Sequence, residues 1–354
     1  MNKKAIILNG KVYNENNIEE LRLTHESPDS WQNSIYLFLV NWFDESDVIV
    51  THTSGSTGTP KEIRLTKTAM RNSAHMTNAF FGLDGTKTAL LCMPASYIAG
   101  KMMLVRAMVG EYNLLAVEPK ANPFEKIDTA IDFTAVTPYQ LSHSIETLKH
   151  KSVKNIIVGG GHVSAKLEAL AVQIPASLFE TYGMTETASH IALRCFNGAE
   201  KSNYFTVLNG VSIHQDEREC LVISAPHLTD SELVTNDIVE LYGSQQFRWL
   251  SRADSVINSG GVKIYPEQVE KKLEAFIEQR FFIGSLPDKI FENKVVLVIE
   301  SEAFITETLE QLKSQMSATL SRYEVPKNIF FIPEFINSTS NKILRNDTLK
   351  LINE

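Results

Sequence analysis

The segment THTSGSTGTPK (51–61) gathers six hydroxyl side chains, two glycines, a proline and a lysine behind the strand-like run DVIV (47–50). Such residues populate ordinary surface loops. The spacing of Gly55, Gly58 and Lys61 argues for more. Glycines let the backbone approach an anion, hydroxyls and N–H groups donate to it, and lysine adds a point charge. A Walker A loop is excluded, since that motif needs Gly-Lys followed by Ser or Thr. Here Pro60 precedes Lys61 and Glu62 follows it. A phosphate-holding loop between two strands is the expectation.

The surrounding pattern extends this. Trp31, Ile35, Phe38, Leu39 and Trp42 recur at helical spacing. Thr66 can cap a helix reaching about Phe81, which Gly82 would end. From TALLCMP to SLFETYG (88–183) strand and helix signals alternate, which predicts a mainly parallel sheet covered on both faces. Ligands of such sheets gather outside the carboxyl ends of the strands. The hydroxyl-rich segment, GGG (159–161) and TYGMTE (181–186) all follow strands. Short alternating strands between about Tyr204 and Leu250 predict a small β-rich subdomain. A compact α+β domain follows, with the boundary near Asp254. The fold class expected is α/β, with domains 1–253 and 254–354.

The totals set outer limits. At 354 residues the chain can bury about three quarters of its unfolded surface. A net charge of −8 speaks against general binding of nucleic acid or an anionic membrane. Three scattered cysteines make neither a disulfide framework nor a zinc site and suit a reducing compartment. No apolar run is long enough to span a bilayer, and MNKKAIILNG is too short in its apolar part for a signal peptide. A cytoplasmic location is expected. A homo-oligomer is compatible with the sequence.

Five motifs in order carry a resemblance. TSGSTGTPK (53–61), YGMTE (182–186), TND (235–237), SRADSVINSGGVKIYPEQVE (251–270) and SNKILR (340–345) resemble the signature segments of the adenylate-forming superfamily of acyl- and aryl-CoA synthetases, adenylation domains and luciferases. The resemblance implies a large adenylation domain and a smaller, mobile C-terminal domain. ATP would be held by Thr53, Ser54, Gly55, Ser56, Thr57, Gly58 and Lys61 at its phosphates. Gly160, Gly161, Tyr182 and Gly183 would meet the purine, and Asp237 and Arg252 the ribose. Glu186 would bind Mg²⁺, which takes one or two carboxylates plus phosphate oxygens, and Thr185 would contact phosphate. Asp254 would be the hinge, and Gly260 and Gly261 would meet CoA.

Lys342 would be the catalytic cation between the attacking carboxylate and the α-phosphate. Each residue has a plainer alternative: a core aromatic for Tyr182, a turn aspartate for Asp237, a solvated lysine for Lys342 and for Lys263. Asn341 stands where the family has glycine, a position asparagine tolerates.

Within the superfamily the chain resembles the short o-succinylbenzoate–CoA ligases of menaquinone synthesis. TETASHIALR (185–194) looks like their form of the motif, with Ser189 as a substrate contact. Arg194 either meets the second carboxylate of a dianionic acid or is a structural arginine. PASYIAGKM (94–102) fits the pattern P-x-x-H-x-x-G, with Tyr97 in place of histidine; Tyr97 and Gly100 are pocket candidates. The implied partners are a small carboxylic acid, ATP and CoA. Three other readings stay open: another aryl- or acyl-CoA ligase or carrier-loading enzyme, a phosphate-releasing NTPase, and a non-catalytic nucleotide-binding module.

Overall fold

A computed structural model of the chain describes residues 5–22, 27–52, 62–337 and 343–352. In chain order its elements begin with Ala5–Leu8 (β1), Lys11–Asn14 (β2), Glu19–Arg22 (α1), Trp31–Phe43 (α2), Val48–His52 (β3), Glu62–Thr66 (β4), Lys67–Phe81 (α3), Thr88–Leu91 (β5), Ile98–Gly110 (α4) and Asn113–Ala116 (β6). They continue with Ile131–Val136 (β7), Pro138–Leu148 (α5), Val153–Val158 (β8), Ala165–Ala171 (α6), Ser177–Gly183 (β9), His190–Cys195 (β10), Phe205–Val207 (β11), Ser212–Gln215 (β12), Cys220–Ser224 (β13), Leu233–Tyr242 (β14) and Gln246–Arg252 (β15). The rest comprises Ile257–Ser259 (β16), Val262–Ile264 (β17), Pro266–Leu273 (α7), Phe281–Asp288 (β18), Glu292–Glu300 (β19), Thr306–Thr319 (α8), Asn328–Ile332 (β20) and Arg345–Lys350 (α9).

Local chemistry explains the helix limits. Thr66 accepts from the Ala69 N–H and starts α3, and Gly82 closes it in the left-handed region at φ 62°. Thr137 and Gln140 form a reciprocal capping box around Pro138 at the start of α5. Apolar alternation explains the layers. On β7, Phe133 and Ala135 join the core under α2–α4, while Val136 joins a second core with Leu141, Ile145 and Phe196. The sheet is thus covered on both faces, as the near-continuous apolar strands require.

The main sheet has 13 strands in the order β12-β13-β14-β15-β11-β10-β9-β8-β7-β5-β6-β1-β2. Pairing is parallel from β1 through β9, apart from the antiparallel β1–β2 hairpin. From β9 through β10 to β12 it is antiparallel. The β-rich stretch therefore continues the main sheet, with its own core of Ile191, Leu221, Ile223 and Phe247. No described strand after Arg252 joins that sheet. The three-stranded sheet β18-β19-β20 and the β16–β17 hairpin stand apart around a separate core that includes Val269, Leu273, Leu297 and Met316.

Candidate active site

Strand β9 is where the sheet changes from parallel to antiparallel, and ETYGMTE lies at its end. Thr181 turns back so that its hydroxyl donates to Val158 O at 3.2 Å, beside Gly159. A Cβ at Gly159 would stand 2.4 Å from Thr181 Oγ1, so a side chain there would turn that hydroxyl away from Val158 O. Gly160 follows with φ 80°, a conformation glycine adopts freely. The GGG turn and the tyrosine of YGMTE are thereby brought together, as the sequence predicts.

The Tyr182 ring packs edge-on against Phe247, with centroids 5.0 Å apart. Its hydroxyl donates to Asp237 Oδ2 at 2.6 Å, and burial together with the Asp237 charge pushes the phenol pKa up. Asp237 faces Arg252 across the β14–β15 ladder, with Arg252 Nη1 3.7 Å from Asp237 Oδ1. Arg252 Nε in turn lies 3.3 Å from Asp254 Oδ1. Four residues spread over 73 positions of sequence (182 to 254) thus form one polar chain at the edge of the large lobe.

Thr185 and Glu186 form a short 3₁₀ turn directly after β9. Glu186 is exposed, and among the described residues its carboxylate has no hydrogen-bond or ion-pair partner. No cluster of three or more metal-ligating side chains occurs among the described residues. One free carboxylate fits an ion delivered with a nucleotide, whose phosphate oxygens complete the shell, rather than a cage of protein ligands.

The next residues give the acid-binding expectations two different outcomes. Ser189 does sit at a charged position: its Oγ accepts from Arg106 Nη2 at 2.6 Å. Arg194, by contrast, is buried and saturated. Its Nε and Nη2 donate to Glu180 Oε2 at 2.9 and 2.7 Å, and Nη2 also donates to Glu168 Oε1 at 2.6 Å. Burial would lower its pKa, yet the Glu180 and Glu168 charges raise it. Of the two readings of Arg194, these contacts favour the structural arginine over the substrate contact, because the charge of the guanidinium is already met within the protein.

Arg106 is the residue that motif reading missed. It lies on α4 with 1% of its surface exposed, and no carboxylate partners it among the described residues. Desolvation drops its pKa to about 10. Periodicity marks α4 as apolar all round, IAGKMMLVRAMVG, and one arginine inside such a helix is the signal that could have found it. Gly100 acts through the backbone. A Cβ there would stand 2.2 Å from Pro94 O, so glycine is what seats α4 against the preceding turn. Tyr97 precedes α4 with its side chain 64% exposed and makes no capping bond.

In the small lobe Gly260 and Gly261, at φ 59° and 79°, form the two-residue turn of the β16–β17 hairpin. Lys263 is exposed and pairs with Glu219 of the large lobe at 2.6 Å. Further contacts hold the lobes: Ser251 Oγ donates to Glu267, Gln268 Nε2 to Leu250 O at 2.8 Å, and the Ala165 N–H to Glu274 at 2.7 Å. The expected phosphate loop (Thr53, Ser54, Gly55, Ser56, Thr57, Gly58, Lys61) and Lys342 lie outside the described residues. The flanking strands β3 and β4 are paired from Val48↔Thr66 to His52↔Glu62.

A large mixed sheet with helices on both faces and a smaller separate sheet is the adenylate-forming fold, the α/β class the sequence predicts. The chain belongs to the AMP-binding enzyme family, whose model matches residues 4–216. Within that class of AMP-forming ligases, an acyl-CoA synthetase (AMP-forming)/AMP-acid ligase II-like protein from Dyadobacter fermentans is 36% identical in sequence. Its crystal structure matches 94% of this chain and 98% of its own, with a TM-score of 0.61. A 2-succinylbenzoate–CoA ligase of Bacillus cereus is 27% identical over 345 residues, covering 88% of this chain and 71% of the relative. The fold also matches the o-succinylbenzoate coenzyme A synthetase (MenE) of Bacillus subtilis in complex with ATP and magnesium ion. That match has a TM-score of 0.69 over 85% of this chain and 69% of that one, at 21% identity.

Proposed function

We propose that the chain adenylates 2-succinylbenzoate with MgATP and passes the acyl group to CoA, a step of menaquinone biosynthesis. In the first half-reaction a carboxylate oxygen attacks the α-phosphorus and pyrophosphate leaves. In the second the CoA sulfur attacks the acyl carbon and AMP leaves. The single observation that carries the acid's identity is Arg106, a buried cation without a carboxylate partner that holds Ser189. A dicarboxylate supplies what it lacks: one carboxylate to react and one to neutralise the guanidinium. The named Bacillus cereus relative agrees with this choice.

The roles follow the site. Gly160, Gly161, Gly183 and Tyr182 flank the purine, Asp237 and Arg252 the ribose, Thr185 a phosphate and Glu186 the Mg²⁺ of MgATP. The segment 53–61 takes the phosphates, and Lys342 stabilises charge on the α-phosphate. Division at Asp254 lets domain 254–354 turn against domain 1–253 and bring Gly260 and Gly261 to CoA. Tyr97, in place of histidine, favours a second reading: the same chemistry on another aryl or acyl acid. No helix of the described residues is long and apolar enough to cross a membrane, and the proposed chemistry uses cytoplasmic substrates.

ATP–pyrophosphate exchange across a panel of aromatic and aliphatic acids tests the proposal. Exchange that depends on 2-succinylbenzoate supports it. Exchange driven best by a monocarboxylic acid, or release of inorganic phosphate instead of pyrophosphate, overturns it. Lys342→Ala is expected to cut exchange by about two to three powers of ten while ATP binding survives.

A further inference from the structure

A guanidinium held away from water must be met by acceptors, and Arg106 has few. Nη2 donates to Ser189 Oγ at 2.6 Å. Nη1 reaches only the Met103 sulfur at 3.7 Å, and Nε has no partner among the described residues. One more polar atom faces it: Nδ1 of His190, 3.5 Å from Nη2 and 3.4 Å from Ser189 Oγ. His190 is buried on β10, and its Nε2 lies 3.2 Å from Thr77 Oγ1 on α3.

The proton on that ring can be placed. The Thr77 hydroxyl has one hydrogen and donates it back to Ser73 O at 3.2 Å, as threonines inside helices do. The threonine oxygen then accepts, so His190 carries its proton on Nε2 and offers the Nδ1 lone pair to Arg106 and Ser189. Burial and the neighbouring Arg106 charge both hold the ring's pKa well below the usual histidine value, which keeps it a neutral acceptor. The backbone under it is equally fixed. A Cβ on Gly183, its partner across β9–β10, would stand 2.5 Å from His190 Cα and 2.4 Å from Ser189 O.

We infer that His190 is a positioning residue for acid recognition: its neutral, Nε2-protonated ring accepts from Arg106 and sets the guanidinium for the second carboxylate of the acid. Thr77 selects the tautomer, and Ser189 shares Nη2. The role rests on the proposed function, since only an acid with two carboxylates needs Arg106 aimed in this way. A histidine that merely filled the core would support all substrates alike.

The test uses the full chain in ATP–pyrophosphate exchange with 2-succinylbenzoate and with 4-oxo-4-phenylbutanoate and 2-propanoylbenzoate, the acids made by deleting either carboxylate. His190→Leu is expected to raise KM for the diacid about tenfold and to leave KM for ATP, and for the better monoacid, within about twofold. His190→Asn keeps an acceptor near the Nδ1 position and is expected to recover most of the loss. His190→Gln, whose amide reaches the Nε2 position and leaves no acceptor near Nδ1, is not. Equal losses for diacid and monoacid, or equal behaviour of the Asn and Leu variants, overturn the role.

Long-range ¹⁵N–¹H correlation on the wild-type protein reads the tautomer without any substitution; an Nδ1-protonated ring or an imidazolium at neutral pH also overturns it. Wild type without a preference for the diacid overturns both this role and the proposed substrate. Preference that is lost in Arg106→Met but kept in His190→Leu overturns the role of His190 alone.

Discussion

Tyr182 Oη and Asp237 Oδ2 stand 2.6 Å apart, joining the end of the parallel half of the sheet to the antiparallel half. The bond holds the ring beside Phe247 and fixes one carboxylate oxygen, while the other oxygen faces Arg252. A flat aromatic face and an oriented carboxylate are the two features a nucleoside needs.

Separating those two features gives the first expectation. Asp237→Asn removes a charge from the proposed ribose site and is expected to raise KM for ATP by about tenfold or more. Tyr182→Phe keeps the ring, loses only the hydroxyl, and is expected to raise it less. Steady-state kinetics with varied ATP at saturating acid decide it, and the reverse order would remove Asp237 from the nucleotide site.

The buried ion triad of Arg194, Glu180 and Glu168 predicts a stability effect. Arg194→Met leaves Glu180 without its cation and Glu168 with only Lys201, 3.3 Å away, and is expected to cost about 3–5 kcal/mol. Urea denaturation measures the loss. A variant as stable as wild type with a raised KM for the diacid would return Arg194 to the acid site.

Gly100→Ala is expected to destabilise by about 1–3 kcal/mol, since the new methyl meets Pro94 O and the backbone must shift. Because α4 also carries Arg106, the same variant is expected to weaken diacid binding more than ATP binding. Parallel titration of both ligands by calorimetry checks this.

Glu270 gives the pH dependence. It accepts from the Ile283 N–H at 2.8 Å and from Arg345 at 2.9 Å, yet burial outweighs both and pushes its carboxyl up to about 7 from 4.5. The folded value lies above the unfolded one, so the native state binds the extra proton between them. Its contribution to stability is fully present below about 4.5 and lost as pH rises through about 7. Thermal midpoints measured from pH 5 to 8 should fall less steeply in Glu270→Gln than in wild type.

Much of the fold was legible because the cues were local. Thr66 and Gly82 bracket α3, Pro138 opens α5, and the succession of strand and helix signals over 88–183 reports a sheet covered on both faces. Strand β10 was harder to see. HIALRC is buried along its whole length, so it lacks an alternating face, and its His and Arg mimic surface chemistry. For the site, the family resemblance pointed to Tyr182, Asp237, Arg252 and Asp254, which the structure joins in one polar chain. It gave no warning of Arg106, whose role depends on what is missing around it, and it left Arg194 open between a substrate contact and a structural arginine, because its partners Glu168 and Glu180 come from different elements. Partnership between distant side chains is a property of packing, and no local pattern encodes it.

The hydrogen-bond ladder that runs across β9, with one register shift between His190 and Ala192, also limits how such a chain can be recombined. A cut near residue 200 would bare the side of β10 that now pairs with β11, leaving a sticky rim open to aggregation. A graft placed after Arg252 severs no rung of that ladder. Exchange of the tail module between homologues is therefore the crossover this architecture tolerates best.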